Sequence, residues 1–194
     1  MFKDISSNKF LIHIIRGRHY MKHEIFDTKI NVSDSEITFE KIYEKDYIPQ
    51  EYIDDIKNAN FLLIPNNSYY EEGCLLFPET TRDFFDFVRE QKDERIIADI
   101  AISDEDFQCI ELHSAIIEVA KVIVQWGVLP IVTSMIASFL YELVKKYHRN
   151  PEETSAKVQI ITEETKTKKS KQITYEGPVS GIKDALDQAT KELF

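Results

Sequence analysis

Carboxylates concentrate between residues 99 and 111, and they are the first side chains in this chain whose types and spacing suggest chemistry. Asp99, Asp104 and Asp106 follow a strand-like segment, residues 95–102. Carboxylate oxygens are the ligands that Mg²⁺ and Ca²⁺ prefer, so the cluster predicts a metal site of a hydrolase or nuclease. A solvated acidic turn is the commoner structure for such a cluster, and the glycine and the loop spacing of an EF-hand are absent.

A polar loop after residues 61–64 is the second candidate. These four apolar residues predict a buried strand, which Pro65 ends. The order strand, helix, strand over residues 61–102 predicts a crossover that joins two parallel strands. Open α/β sheets bind ligands beyond the carboxyl ends of such strands. An ordinary surface loop is the alternative. The residues predicted to contact a small polar or nucleotide-like ligand are Asn66, Asn67, Ser68, Tyr69 and Tyr70.

Two pairs of residues have the spacing of one helical turn. His19 and His23 would present two imidazoles to a metal, and Cys109 and His113 would form a thiolate–imidazolium pair. Neither pair has a recognisable third group, so we interpret them as a solvated segment and a buried structural cysteine. The spacings GxGxxG, GxxxxGK, GxSxG and HExxH are absent, which disfavours the corresponding enzyme classes. No cofactor is predicted.

Four lysines near the end of the chain are the candidates for contacts with nucleic acid: Lys166, Lys168, Lys169 and Lys171. They lie between two predicted strands, and Glu164 with Lys166 matches half of a nuclease ExK motif. Lysines at an exposed hairpin turn contact phosphates weakly at most. A net charge of −10 and a pI near 5.0 disfavour general attraction to nucleic acid or to anionic membranes. We predict that nucleic acid is not a partner beyond such weak contacts.

Residues 122–141 carry no formal charge, and a run of about 20 apolar residues is long enough to span a bilayer. Gly127 and Pro130 predict a break into a helical hairpin. Three environments could bury this apolar hairpin: the core of the protein, a second protomer, or lipid. The residues predicted to serve assembly or membrane insertion are Trp126, Leu129, Val132, Met135, Ile136, Phe139, Leu140 and Leu143.

These segments predict an α+β fold whose length and 43% apolar composition suffice for a real core. Residues 1–112 form a mixed α/β region with at least one parallel βαβ unit. Its predicted elements include a strand at 10–15, a hairpin of strands at 26–32 and 36–43, and a helix at 50–59. Residues 113–150 form the apolar helical hairpin, and 151–194 form a ββα tail, all packed as one compact unit.

One resemblance follows from the order of the last elements. A glycine-interrupted apolar helical stretch at 115–144 precedes a β-hairpin at 158–175 and a closing helix at 179–193. In this order, the last 80 residues resemble the small effector-associated accessory proteins of bacterial conflict and phage-defence gene neighbourhoods. The resemblance implies a protein without catalytic residues.

The leading functional prediction is a non-enzymatic accessory or regulatory protein that acts through self-assembly or binding of a protein partner. The alternatives are a membrane-associated effector that inserts residues 115–144, and a metal-dependent hydrolase or nuclease. Two cysteines without a disulfide framework and an N-terminus without an apolar leader predict the cytoplasm. Association with the inner membrane is the alternative location.

Overall fold

A computed structural model of the chain describes residues 28–66, 75–111 and 116–193. Its helices and its mixed sheet confirm the α+β class. The predicted strand at 10–15 and the pair His19 and His23 lie outside the described residues. The strands are β1 (Lys29–Ser35), β2 (Phe61–Ile64), β3 (Phe77–Pro78), β4 (Ala98–Ile100), β5 (Cys109–Ile110), β6 (Ile116–Glu118), β7 (Lys121–Gln125), β8 (Ser155–Glu163) and β9 (Ser170–Pro178). The helices are α1 (Phe39–Tyr43), α2 (Ile53–Asn58), α3 (Thr81–Glu90), α4 (Leu129–Lys146) and α5 (Ile182–Lys191).

The main sheet has the strand order β1-β9-β8-β7-β2-β4, and β6 also pairs with β8. The pairs β7–β8 and β2–β4 are parallel, whereas β1–β9, β8–β9 and β2–β7 are antiparallel. Helix α3 lies between β2 and β4 in sequence, and α4 lies between β7 and β8. The parallel pair that was predicted within residues 61–102 is therefore confirmed. Strands β3 and β5 form a separate two-stranded sheet.

Helices cover both faces of this sheet. Alternate residues of the central strands enter two separate cores: Val122 and Val124 of β7 belong to the core that contains α3, α4 and α5, whereas Ile123 belongs to the core that contains α1 and α2. A strand buried on both faces is apolar at every position. The three residues have no solvent exposure.

This double burial explains why the predicted helical hairpin is wrong in its first half. Residues 121–125 are strand β7 and not a helix, because a continuous apolar run does not show the period of two that identifies a half-buried strand. A 3₁₀ turn, Trp126–Val128, leads into α4. Pro130 lies in the first turn of α4, where its missing N–H is not needed. The predicted second helix of the hairpin is present as α4.

The predicted second hairpin strand at 36–43 is wrong, because residues 39–43 are helix α1. Thr38 caps the helix by accepting the N–H of Lys41, at 3.2 Å. The N–H of Phe39 donates to Oε2 of Glu163, at 2.7 Å. Because Glu163 is the last residue of β8 and is buried, this bond fixes the start of α1 to the sheet. Strand β1 pairs instead with β9.

Strands β6 and β7 are two pieces of one strand that are separated by a bulge. Ile116 lies opposite Ser155 and Val122 opposite Ile160, so the β6–β7 side has one residue more than β8 between these pairs. A bulge of this kind redirects the side chains that come after it. The first residue of β7, Lys121, lies directly beyond it.

The predicted hairpin and closing helix at the end of the chain are confirmed as β8, β9 and α5. They belong to the same sheet and core as the preceding residues, because β8 pairs with β7 and α5 packs against α4 and β9.

Candidate functional site

A cavity of about 350 Å³ lies at the carboxyl end of β2. We call it the lysine cavity. Its walls come from α1 and the turn after it, from β2, and from the first residue of β7. Strand β2 runs parallel to β4, and ligands bind at this end of open α/β sheets. The side chains around the cavity include Lys41, Lys45, Tyr47, Ile64, Leu75 and Lys121.

Three elements bring the lysines together. Lys41 lies on α1, and Lys45 lies in the turn that follows this helix. Lys121 pairs with Ile64 across the β2–β7 ladder. Its side chain is on the same face of β7 as Ile123, the face that α1 and α2 cover. The cavity thus collects cationic groups from two distant parts of the sequence.

The charges of these lysines have no neutralising ion pair with the described residues. None of the three ammonium groups forms an ion pair or a hydrogen bond with a residue that the structure describes, although Glu36 also lines the cavity. Burial lowers the pKa of Lys121, because the charged form loses water. Burial also raises the pKa of Tyr47 to about 12, so its hydroxyl remains protonated. The arrangement suits an anion.

The ligand-binding loop that the sequence predicts begins and ends at this cavity. Pro65 and Leu75 both line it. Asn66 pairs with Leu76 through two backbone hydrogen bonds, of 2.9 and 3.2 Å. The other four predicted residues, Asn67, Ser68, Tyr69 and Tyr70, lie outside the described residues. The lysines were missed because residues 36–43 were interpreted as a strand, so the helix and turn that carry Lys41 and Lys45 were not predicted.

The predicted metal ligands are only partly brought together. Asp99 and Asp104 line a second cavity, of about 470 Å³, with Glu51 and Asp55. Asp106 instead accepts a hydrogen bond from the hydroxyl of Ser103, at 2.8 Å. Within residues 28–66, 75–111 and 116–193, no three His, Cys, Asp or Glu residues are grouped so that they could hold a metal ion. The geometry gives the hydrolase or nuclease alternative no metal centre there.

Asp99 leads to a prediction about pH. Burial raises its pKa above the ordinary 3.8, and the nearby carboxylates of Asp55 and Asp104 add to the effect. The folded state therefore holds this proton to a higher pH than the unfolded state, and stability falls as the pH rises through that window. We expect Asp99→Asn to raise the melting temperature near pH 7, with the difference disappearing near pH 4. Thermal unfolding measured across this range tests it.

Asp54→Asn is the matched control for this prediction, because Asp54 is exposed on the same helix as Asp55. It is expected to change the melting temperature little at either pH. Equal effects of the two substitutions would contradict the role given to burial of Asp99.

The remaining candidates are single features of the surface. Cys109 is exposed on β5, which corrects the interpretation of a buried cysteine, and His113 lies outside the described residues. Among the four lysines of the β8–β9 turn region, Lys168 lies 3.7 Å from Glu163 and Lys171 lies 3.6 Å from Asp34. Lys166 and Lys169 are exposed.

The apolar residues predicted for assembly or membrane insertion lie mostly in the core. Trp126 is half-buried, and the buried members are Leu129, Val132, Met135, Ile136, Phe139, Leu140 and Leu143. They pack with the sheet, α3 and α5, so of the three predicted environments the structure shows the core of the protein itself. By length and composition alone, the helix over Trp126–Lys146 is long and apolar enough to cross a membrane. In the structure, 61% of its most apolar 18 residues is buried inside the protein.

Comparison with known proteins gives no relative. No protein-family model matches the chain, and searches of curated proteins and of solved structures found no match. The resemblance to effector-associated accessory proteins is not tested by these comparisons. The element order on which it depends now begins with a strand, β7, where a helix was predicted.

Proposed function

We propose that the protein is a non-enzymatic accessory or regulatory protein that acts by strand pairing, with the outer edge of β1 as its binding element and a second copy of the chain as its partner. The observation that supports this most directly is the seven-residue strand at the end of the sheet. The cytoplasm is the proposed location.

The outer side of β1 has no strand partner among the described residues. Its inner side pairs with β9 over its whole length, from Lys29 opposite Glu176 to Ser35 opposite Ser170. An edge strand of this length presents a row of backbone donors and acceptors that a further strand can satisfy. Five of its seven side chains are exposed, so they do not shield this backbone.

The side chains of β1 do little to oppose such pairing. Soluble proteins protect their edges with proline, bulges or several lysines, whereas β1 contains a single lysine, Lys29, and no proline. Lys29 and Asp34 cancel in charge, so the net charge of −10 is not concentrated on this strand. Ile30 is 42% exposed, and an added strand would cover part of it.

The biological setting is part of the same proposal. The hairpin β8–β9 followed by α5 retains the last part of the order that resembles effector-associated accessory proteins. That resemblance supports a role in bacterial defence, in which assembly of the protein would regulate a partner effector.

Sedimentation velocity of the full chain over a range of concentrations tests the proposed function. We expect a dimer, and we expect Asn31→Lys with Ser33→Lys to convert it to a monomer. In an antiparallel pair centred on Val32, residue 31 of one copy faces residue 33 of the other, so the added lysines repel one another. A wild-type protein that is monomeric throughout would contradict the proposal.

The control is a double variant with the same change of charge, Ser134→Lys with Ser138→Lys, on the exposed side of α4. It is expected to remain dimeric. If both double variants dissociate alike, charge and not the β1 edge determines assembly.

The membrane-associated effector remains a second proposal, because α4 with its preceding turn has 21 residues, and the most apolar 18 of them have a mean hydropathy of 1.7. Insertion of residues 115–144 would require β7 and α4 to leave the core. Flotation with vesicles of a bacterial lipid composition, followed by a carbonate wash, tests it. Protein that remains with the vesicles after the wash supports insertion, and protein that stays in the soluble fraction contradicts it.

A further inference from the structure

We infer that the lysine cavity binds a small molecule that carries one or more phosphate groups. This inference concerns a different surface from the edge of β1 and does not depend on the proposed strand pairing. It is carried by the charge, the burial and the shape of the cavity.

The first support is a half-buried lysine that has no ion-pair partner among the described residues. Elsewhere, half-buried lysines are paired: Lys157 lies 2.9 Å from Glu118, and Lys171 lies 3.6 Å from Asp34. Lys121 is also half-buried but has no such partner among the described residues, and the exposed Lys41 and Lys45 have none either. Three lysines and one glutamate, Glu36, line this space, so its described lining is net positive in a chain of net charge −10.

The chemistry of the donors favours phosphate. A lysine ammonium is a compact point charge with three donors, and several of them together match an anion with more than one charge. Planar carboxylates are recognised preferentially by the two-pronged guanidinium of arginine. No arginine is among the described residues that line this cavity.

Lys121 gives the second support. Its ammonium is half-buried, and burial disfavours the charged form unless an opposite charge compensates it. A bound phosphate would supply that charge. Lys121 lies directly after the bulge and is half-buried, whereas Lys41 and Lys45 are exposed. Lys121 is therefore expected to be the main contact with the phosphate.

The walls indicate what is attached to the phosphate. Ile42, Ile64 and Leu75 are apolar, and Tyr47 adds an aromatic ring with a protonated hydroxyl. Sites for small molecules combine such apolar walls with a few polar groups, and their volumes begin at about 300 Å³. The observed 350 Å³ therefore suits a compact phosphorylated molecule with an apolar or ring-shaped part.

Isothermal titration of the full chain with pyrophosphate, and separately with adenosine monophosphate, tests this inference. We expect saturable binding of both probes with dissociation constants below about 1 mM, weakened about tenfold or more by Lys121→Gln. Lys57→Gln removes the same charge from the exposed side of α2 and is expected to bind like the wild type. No binding of either probe up to about 10 mM, or equal effects of the two substitutions, would overturn the inference.

A second measurement uses the wild-type chain and therefore does not depend on how the variant folds. An amine-acylating reagent is applied with and without pyrophosphate, and the modified lysines are quantified by mass spectrometry. We expect pyrophosphate to slow modification of Lys121 by about threefold or more relative to Lys57, because a bound anion both shields the amine and favours its charged form. Equal protection of Lys121 and Lys57 would overturn the site.

Discussion

Phe84→Ala is expected to lower the free energy of unfolding by about 3–5 kcal/mol, the range for large aromatic residues removed from a packed core. Phe84 projects from α3, has no solvent exposure, and contacts two other parts of the core. Its ring lies 6.1 Å from that of Phe61 on β2 and 5.0 Å from that of Phe139 on α4. Phe84 therefore joins its own helix, α3, to both β2 and α4. Equilibrium unfolding by denaturant measures the change.

The neighbouring Phe85 supplies the control, since it is only partly buried. The guanidinium carbon of Arg89 lies 5.7 Å from the centre of its ring. Phe85→Ala is expected to lose less than half as much free energy of unfolding as Phe84→Ala. Equal losses would contradict the orientation of α3 against the core.

Leu140→Ala is expected to lower the free energy of unfolding by about 2–5 kcal/mol, because its side chain is fully buried and the surrounding sheet and helices cannot close the space completely. The loss is expected to be the same at low and at high protein concentration, since the residue packs within one protomer. Ser138→Ala, on the exposed side of the same helix, is expected to change stability by no more than about 0.5 kcal/mol.

The concentration dependence of this loss separates a core helix from an interface helix. If the loss caused by Leu140→Ala appeared only at concentrations where the protein is multimeric, α4 would be part of an interface between copies. The assignment of α4 to the core of the protomer would then be wrong.

The sequence predicted best those elements whose period is visible. Helix α3, the parallel pair β2–β4, the hairpin β8–β9 and helix α5 follow from turn residues and from apolar residues that recur on one face. Strand β7 does not, because Val122, Ile123 and Val124 are buried on both faces and an uninterrupted apolar run is compatible with helix and strand alike.

The sequence did not predict helix α1, for a different reason. Five residues with β-branched neighbours have a weak helical tendency of their own, and the helix starts where Glu163, more than 120 residues later, accepts the N–H of Phe39. A hydrogen bond between such distant residues has no local signal in the sequence. The lysine cavity was missed for the same reason, since its lysines are brought together by α1 and by the bulge before Lys121.

Hydrogen exchange at β1, measured residue by residue at increasing protein concentration, tests the proposed strand pairing most directly. In an antiparallel edge strand, alternate N–H groups of Lys29–Ser35 point toward β9 and the others point outward. We expect the outward set to exchange rapidly in the dilute protein and at least about tenfold more slowly in the assembled protein, because a second strand then accepts those hydrogens. Outward amides that exchange equally fast in dilute and assembled protein would contradict strand pairing at β1.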